Sequence, residues 1–277
     1  SMAYRFLRKE PSAAAGERFD TVGCFLYMCG LVSSLYGFAF LVDGLLPRLL
    51  LGTGFLLLAG FTRYELRRDH PLLEIRLFTE NPTFAFSNLA AMINYSATFA
   101  IGFLASLHLQ VVMGLDSRAA GWVMLSQPLL MALFSPFAGR LSDKVEPRIV
   151  ASGGMALTTL GLLMFIFVDQ QTTLPVIMGE LALMGLGFAF FSSPNNNAIM
   201  GAVGKDKYGV AASSLATMRM SGQALSMSTV ALIMAMHGGK EALASQSVDK
   251  ILDSTQSALV VFTLLSTVGI YFSLKRG

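Results

Sequence analysis

Charge is what this sequence has least of. Only 13% of its 277 residues are Asp, Glu, Lys or Arg, about half the density of a soluble globular domain, which excludes a water-facing surface over most of the molecule. Cysteine is nearly absent as well. Cys24 and Cys29 stand five apart in one apolar run; on a helix they point about 140° from each other, too far round to bridge. The three histidines, His70, His108 and His237, are far apart and have no thiol or carboxylate at ligand spacing, so no metal site is expected. There is no Gly-x-Gly-x-x-Gly or Walker-type loop, which leaves ATP-driven work unsupported. No nucleophile, base and orienting group occur at catalytic spacing, so an enzyme is not expected, and no cofactor is called for. The net charge of +3 comes from scattered basic residues that do not interleave with exposed aromatics, which argues against a nucleic-acid partner. The first twenty residues lead with charge and small polar side chains and hold no apolar core, so no signal peptide is expected there.

What the sequence has in abundance is apolar surface, at 54% of residues. A membrane-spanning helix needs about 20 predominantly apolar residues. Eight segments qualify, at 22–42, 45–62, 84–112, 120–138, 149–168, 174–194, 209–236 and 257–274. The expected fold class is therefore all-α, a polytopic membrane helical bundle in contact with lipid. An even number of spans puts both chain ends on one side, and the basic residues then divide unevenly. Fifteen fall on that side: Arg5, Arg8, Lys9, Arg18, Arg63, Arg67, Arg68, Arg76, Arg140, Lys144, Arg148, Lys205, Lys207, Lys275 and Arg276. Arg48, Arg118, Lys240 and Lys250 fall on the other, and Arg219 lies inside a helix. By the positive-inside rule both termini are expected in the cytoplasm. The 63–82 segment is too short in apolar residues to span, but Leu72, Leu73, Ile75, Leu77 and Phe78 give it an apolar side, as in an interfacial segment. The polar stretch from His237 to Gln256 is expected on the other side, with room for a short surface helix.

Between the fourth and fifth segments lies "SPFAGRLSDKVEPRIVASGG", in which Gly139 to Arg148 carries five charges. A small residue such as Gly139 lets two helices approach closely, an aspartate such as Asp143 can accept from donors at a helix N-terminus, and Arg140, Lys144 and Arg148 hold the turn in the cytoplasm. This pattern resembles the loop signature of the major facilitator superfamily, departing from it at Glu146 and Pro147, where the family usually carries glycine and often a basic residue. "HPLLEIRLFTENPTF", "LHLQVVMGLDSRAAGWVMLSQP" and "GLGFAFFSSPNNNAIMGAVGKDKYGVAASSLATMRMSGQAL" are similar to the fourteen-helix drug:proton antiporter branch of that superfamily. The resemblance covers nearly the whole chain. It implies that residues 1–20 are the cytoplasmic tail of a preceding helix, 21–63 two linker helices, 64–82 a cytoplasmic amphipathic segment and 83–277 the C-terminal six-helix domain. An N-terminal six-helix half would then lie outside the chain, which begins with Ser1; a cloning scar and a gene piece both give such a start. The implied activity is proton-coupled export of small amphipathic molecules by alternating access, in a membrane expected to be the bacterial inner one. A non-transporting membrane module, or a half that works as a homodimer, is the alternative.

An ion inside a spanning helix is costly and so a functional candidate. Arg219, with Gly222, Gln223 and Ser226 at i+3, i+4 and i+7, makes one polar stripe. It either fixes packing or lines the transport path. Glu180, in the outer part of the sixth helix, either exchanges a proton or forms a static pair. A direct Glu180–Arg219 pair would need tilt or a bridging water. Asn94, Thr98 and Gly102 repeat every four residues on the third helix, with Tyr95 and Ser106 adjoining, as helix-helix glue or as a substrate wall. Gln110 and Gln127 can bond a ligand or a neighbouring backbone. Pro128 and Pro136 each free a carbonyl of the fourth helix and invite kinks. Sixteen methionines and 21 phenylalanines suit a pliable apolar pocket, though most will face lipid or core.

Overall fold

The computed structural model describes residues 20–68, 73–238 and 248–276, and all regular structure among them is helical. The first two helices, α1 (Thr21–Ala39) and α2 (Leu45–Glu65), form an antiparallel hairpin. It turns through Gly44 at φ 131°, a conformation that a side chain would strain. Asp20 caps α1 by accepting from the Gly23 N–H at 2.9 Å.

Six helices or helix pairs follow. A short α3 (Ile75–Glu80) leads into α4 (Pro82–Thr98), which is succeeded by α5 (Ile101–Leu107) and a π-helical turn at His108–Val112. The next pair is α6 (Ser117–Met124) and α7 (Ser126–Ser142). Then come α8 (Pro147–Phe165), α9 (Leu174–Gly201), α10 (Tyr208–Gly238) and α11 (Val248–Leu274). Packing runs from α2 through α1, α10, α4, α11, α8 and α9 to α7, with α9 also touching α4.

Seven of these helices or helix runs are long and apolar enough to cross a membrane: α1, α2, Pro82–Val112, Ser117–Ser142, α8, α9 and α11. The remaining expected span, the seventh in order at 209–236, is also a helix, the 31-residue α10, but it is not among these. Arg219, Gln223 and its serines make it more polar than the others, and the polar stripe faces a cleft between helices. The last expected span starts earlier than its apolar run indicates, because α11 begins at Val248. Residues 239–247, where a surface helix was expected, lie outside the described residues.

Two expected spans are interrupted. Between α4 and α5 the Phe99 N–H still donates to the Tyr95 carbonyl at 3.1 Å, but the Ala100 N–H leaves the helical ladder and donates instead to Ser226 Oγ of α10 at 3.0 Å. A side chain entering the i→i−4 ladder is a recognised cause of a helix break. Between α6 and α7 the break falls at Leu125, three residues before Pro128, whose ring displaces the carbonyl one turn earlier. Pro136 sits inside α7 without interrupting it.

The apolar side of the 63–82 segment docks on the bundle. Leu77 and Phe78 pack with Phe84, Ile199 and Ala211, and the Phe78 and Phe84 rings meet edge-on at 5.0 Å. Leu72 lies outside the described residues. Lys207, in the short 3₁₀ turn before α10, donates to Glu74 Oε1 at 2.6 Å, and this hydrogen bond holds its ammonium above the usual lysine range. Helices α8 and α11 are joined by two hydroxyl pairs, Ser152 with Ser273 and Thr159 with Ser266, each at 2.8 Å.

Candidate functional site

A cleft of about 420 Å³ opens where the α4–α5 break faces α7, α9 and α10, within the size range of small-molecule sites. Its aromatic wall is Tyr95, Phe99 and Phe188, with the Tyr95 and Phe188 rings edge-on at 5.4 Å. Thr98, Gln127, Ser192, Arg219 and Gln223 supply the polar groups, and Gly102, Pro128 and Met131 complete the lining. Each placement has a local cause. The Thr98 hydroxyl donates to the Asn94 carbonyl at 2.8 Å, leaving its oxygen at the end of α4 where the helix stops. Gln127 stands just past the Leu125 break, and its carbonyl abuts Gly185 of α9, so no side chain at 185 would fit there. Arg219 is exposed to the cleft, with its guanidinium 5.7 Å from the centroid of the Tyr95 ring, within cation–π range.

Gly222 sets how close α10 comes to α4. A Cβ there would lie 2.5 Å from the Met92 carbonyl oxygen and 3.1 Å from Tyr95 Cβ, so the absence of a side chain lets Arg219 and Gln223 reach the Tyr95 side of the cleft.

The structure thus brings together Thr98, Gln127, Arg219 and Gln223 of the residues expected from sequence. Three others stand apart. Asn94 is fully buried with both side-chain amide atoms unpaired among the described residues, one turn below Thr98 and outside the lining. Gln110 lies in the π-helical turn, donating to Ser106 Oγ at 2.6 Å and accepting from the Ser117 hydroxyl at 3.0 Å. It therefore joins the two broken helices at their connecting turn. Glu180 is 5% exposed, sits among the apolar neighbours Ile177, Leu181 and Met184, and does not line the cleft with Arg219. Sequence reasoning did not single out Phe99, Phe188 and Ser192. Phe188 and Ser192 are four apart on α9, a spacing that offered the signal.

The charged loop behaves differently from its pattern in isolation. A Cβ on Gly139 would meet Ser193 Oγ at 3.1 Å, so α7 and α9 are close here. Asp143 caps the C-terminus of α7 and is exposed, with no side-chain hydrogen bond among the described residues. Helix α8 begins on Pro147, which has no N–H to offer it. Arg140 and Lys144 are exposed, and Arg148 pairs with Glu146 at 2.5 Å. The loop is instead anchored by Asn197 of α9, which donates to Ser142 Oγ at 2.8 Å, while Ser142 donates to the Gly139 carbonyl.

An all-α, multi-pass membrane bundle with a mixed aromatic and polar cleft between four helices is the architecture of a membrane transporter. A family model described as Major Facilitator Superfamily matches residues 88–276, and the chain belongs to that family. The riboflavin transporter RibZ of Clostridioides difficile (strain 630) is 29% identical over 219 residues, 79% of this chain and 47% of that protein. A multidrug resistance protein B homolog of Mycobacterium tuberculosis (strain ATCC 25618 / H37Rv) is 30% identical over 204 residues, 70% of this chain and 37% of that protein. The methyl viologen resistance protein SmvA of Salmonella typhimurium (strain 14028s / SGSC 2262) is 33% identical over 168 residues, 60% of this chain and 33% of that protein. The chain spans about half or less of the length of the curated relatives it matches.

Proposed function

We propose that this bundle is one moving half of a proton-coupled exporter of small amphipathic molecules, with α1 and α2 as linker helices and both chain ends in the cytoplasm. It would work against a second six-helix half, with the cleft facing the path between them. The observation that carries this reading is the cleft itself, in which Tyr95, Phe99 and Phe188 offer a flat apolar surface beside the polar group of Gln127, Gln223 and Arg219. Relatives named for riboflavin and for multidrug resistance support small, aromatic cargo. The Arg219 guanidinium favours neutral or anionic amphiphiles over dications, because it places a fixed positive charge at the wall. Asp143, exposed and unpaired in this bundle, is proposed to meet the opposing half during the cycle.

Export by the full-length protein, followed as efflux of a fluorescent amphiphile at matched expression, tests this. Arg219→Ala should weaken apparent affinity for an anionic amphiphile about tenfold, ~1.4 kcal/mol, while Arg219→Lys should retain part of it. Wild-type efflux in Arg219→Ala would make the residue a packing element. Glu180→Gln tests the energy source: unchanged dependence of export on a pH gradient would remove Glu180 from proton coupling. A homodimer of this bundle would instead give crosslinks between identical positions in membranes.

A further inference from the structure

A second cavity lies at the end of the bundle that carries the charged loop, where α9 continues from the cleft residue Ser192 to Asn197 and Ala198. It measures about 550 Å³, and its polar wall is Asn81, Thr83, Glu146, Arg148, Asn197 and Arg276. Arg276 is unusual among these. Its flanking position marked it as one of the solvated basic residues that hold a chain end in the cytoplasm, yet it is only 3% exposed. Its three guanidinium nitrogens make no hydrogen bond among the described residues. A buried guanidinium without an anion carries the full cost of lost hydration, which proteins avoid by pairing. Burial pulls its pKa down to about 10, so it remains a cation at neutral pH.

The residue is not a frayed end. The Thr83 hydroxyl donates to the Arg276 carbonyl at 2.9 Å and fixes the backbone to the start of α4. The carboxylate on the same wall, Glu146, is already held by Arg148 Nε at 2.5 Å, which leaves one uncompensated positive charge in the cavity among the described residues. The wall also includes Pro147, the first residue of the 19-residue α8, whose N-cap Glu146 makes no side-chain cap bond. Pro147 has no N–H and the Ile149 N–H donates to the Glu146 carbonyl at 2.9 Å, so the Arg148 N–H and the positive end of the helix are what the first turn presents beside this charge.

We propose that this cavity binds a phosphate-type oxyanion, with Arg276 and Arg148 as its cationic partners and the N-terminus of α8 as a further donor. Guanidinium and phosphate match in fork geometry, and the volume exceeds what a halide fills. The same chemistry is presented by the headgroup of an anionic phospholipid and by free phosphate. With the proposed orientation, the site lies at the cytoplasmic membrane surface, where both are present.

The test uses the purified chain in zwitterionic detergent and in nanodiscs. If the source is lipid, native mass spectrometry should find phosphatidylglycerol retained at least tenfold over phosphatidylcholine, with the preference lost in Arg276→Gln and kept in Glu146→Gln. If the source is free phosphate, inorganic phosphate should raise the unfolding midpoint saturably in detergent, beyond chloride at equal ionic strength. That shift should vanish in Arg276→Gln. The proposal is overturned if the wild-type chain shows neither effect, or if Arg276→Gln retains it. It is also overturned if Glu146→Gln abolishes either effect, since loss of a neighbouring negative charge should strengthen, not abolish, an anion held by Arg276 and Arg148. Should Arg276→Gln fail to fold, Arg276→Lys and Arg148→Ala replace it, each expected to weaken retention or the shift severalfold, and unchanged binding in both counts against the site.

Discussion

Replacing Ser226 with alanine isolates the contact that holds the α4–α5 break. Ser226 Oγ accepts from the Ala100 N–H at 3.0 Å, and both residues are fully buried. Removing the oxygen leaves a backbone donor without an acceptor, a cost of about 1–3 kcal/mol in proteins generally. Interhelical hydrogen bonds in membrane bundles measure lower, averaging about 0.6 and reaching about 1.7 kcal/mol, because released groups find other partners. Here the neighbouring residues Phe99 and Gly102 line the cleft, from which water can reach the break, so ~1–1.5 kcal/mol is expected. The reference is Ser214, on the same helix and equally buried, whose hydroxyl makes no hydrogen bond among the described residues. Ser214→Ala removes an unsatisfied group and should be neutral or slightly stabilising. The assay is equilibrium unfolding in mixed micelles, followed by the fluorescence of the single tryptophan, Trp122. If Ser226→Ala and Ser214→Ala give the same stability within about 0.3 kcal/mol, smaller than the weakest such contacts, the hydroxyl does not hold the break and the account of the cleft's shape is wrong.

Three further outcomes are expected. Gly222→Val should force α10 away from the Met92 carbonyl, costing about 1–3 kcal/mol by overpacking and lowering export more than Gly209→Val, a site with open space around it; equal effects at both positions would contradict the close approach. Burial raises the pKa of Asp20, but the Gly23 N–H, Glu65, the Tyr64 hydroxyl and Arg68 together hold it below the usual 3.8. Its stabilising contribution is therefore present above the unfolded value of about 3.9 and lost as pH falls through the folded one. Asp20→Ala should cost ~1 kcal/mol at neutral pH, with the difference shrinking on acidification, whereas a constant difference across pH would show that its charge is irrelevant. Asp143→Asn should slow turnover with affinity unchanged, measured as efflux velocity against substrate concentration; an affinity loss at unchanged velocity would count against contact with an opposing half.

The helices were legible because apolar length alone marks a spanning segment. Their interruptions were legible only in part. Pro128 carries its break in its own ring, but the break at Phe99 and Ala100 depends on Ser226, 126 residues away, and no local pattern encodes it. The stripe of Arg219, Gly222, Gln223 and Ser226 was readable by helical spacing, though its division of labour was not. Two of its residues line the cleft, one sets the approach of α4, and one supports the break. Asn94 shares the spacing of Thr98 yet misses the cleft, because it is fully buried one turn back along α4, while Thr98 is the last residue of that helix, where the cleft opens. Glu180 and Arg219 are the two charged residues in spans that sequence singles out, but depth along a helix says nothing about which way each faces. Arg276 illustrates the opposite failure, since a basic residue beside a span reads as solvated until the neighbouring helices are seen to close over it.

The two hydroxyl pairs between α8 and α11 are seven residues apart on each helix, Ser152 to Thr159 and Ser266 to Ser273, in mirrored order. Two rungs at separate heights fix both slide and roll, whereas a single rung would leave a pivot. Any rocking of this half must therefore carry α8 and α11 as one plank, and the bending needed to open or shut the path falls to the two broken helices, α4–α5 beside α11 and α6–α7 beyond α9.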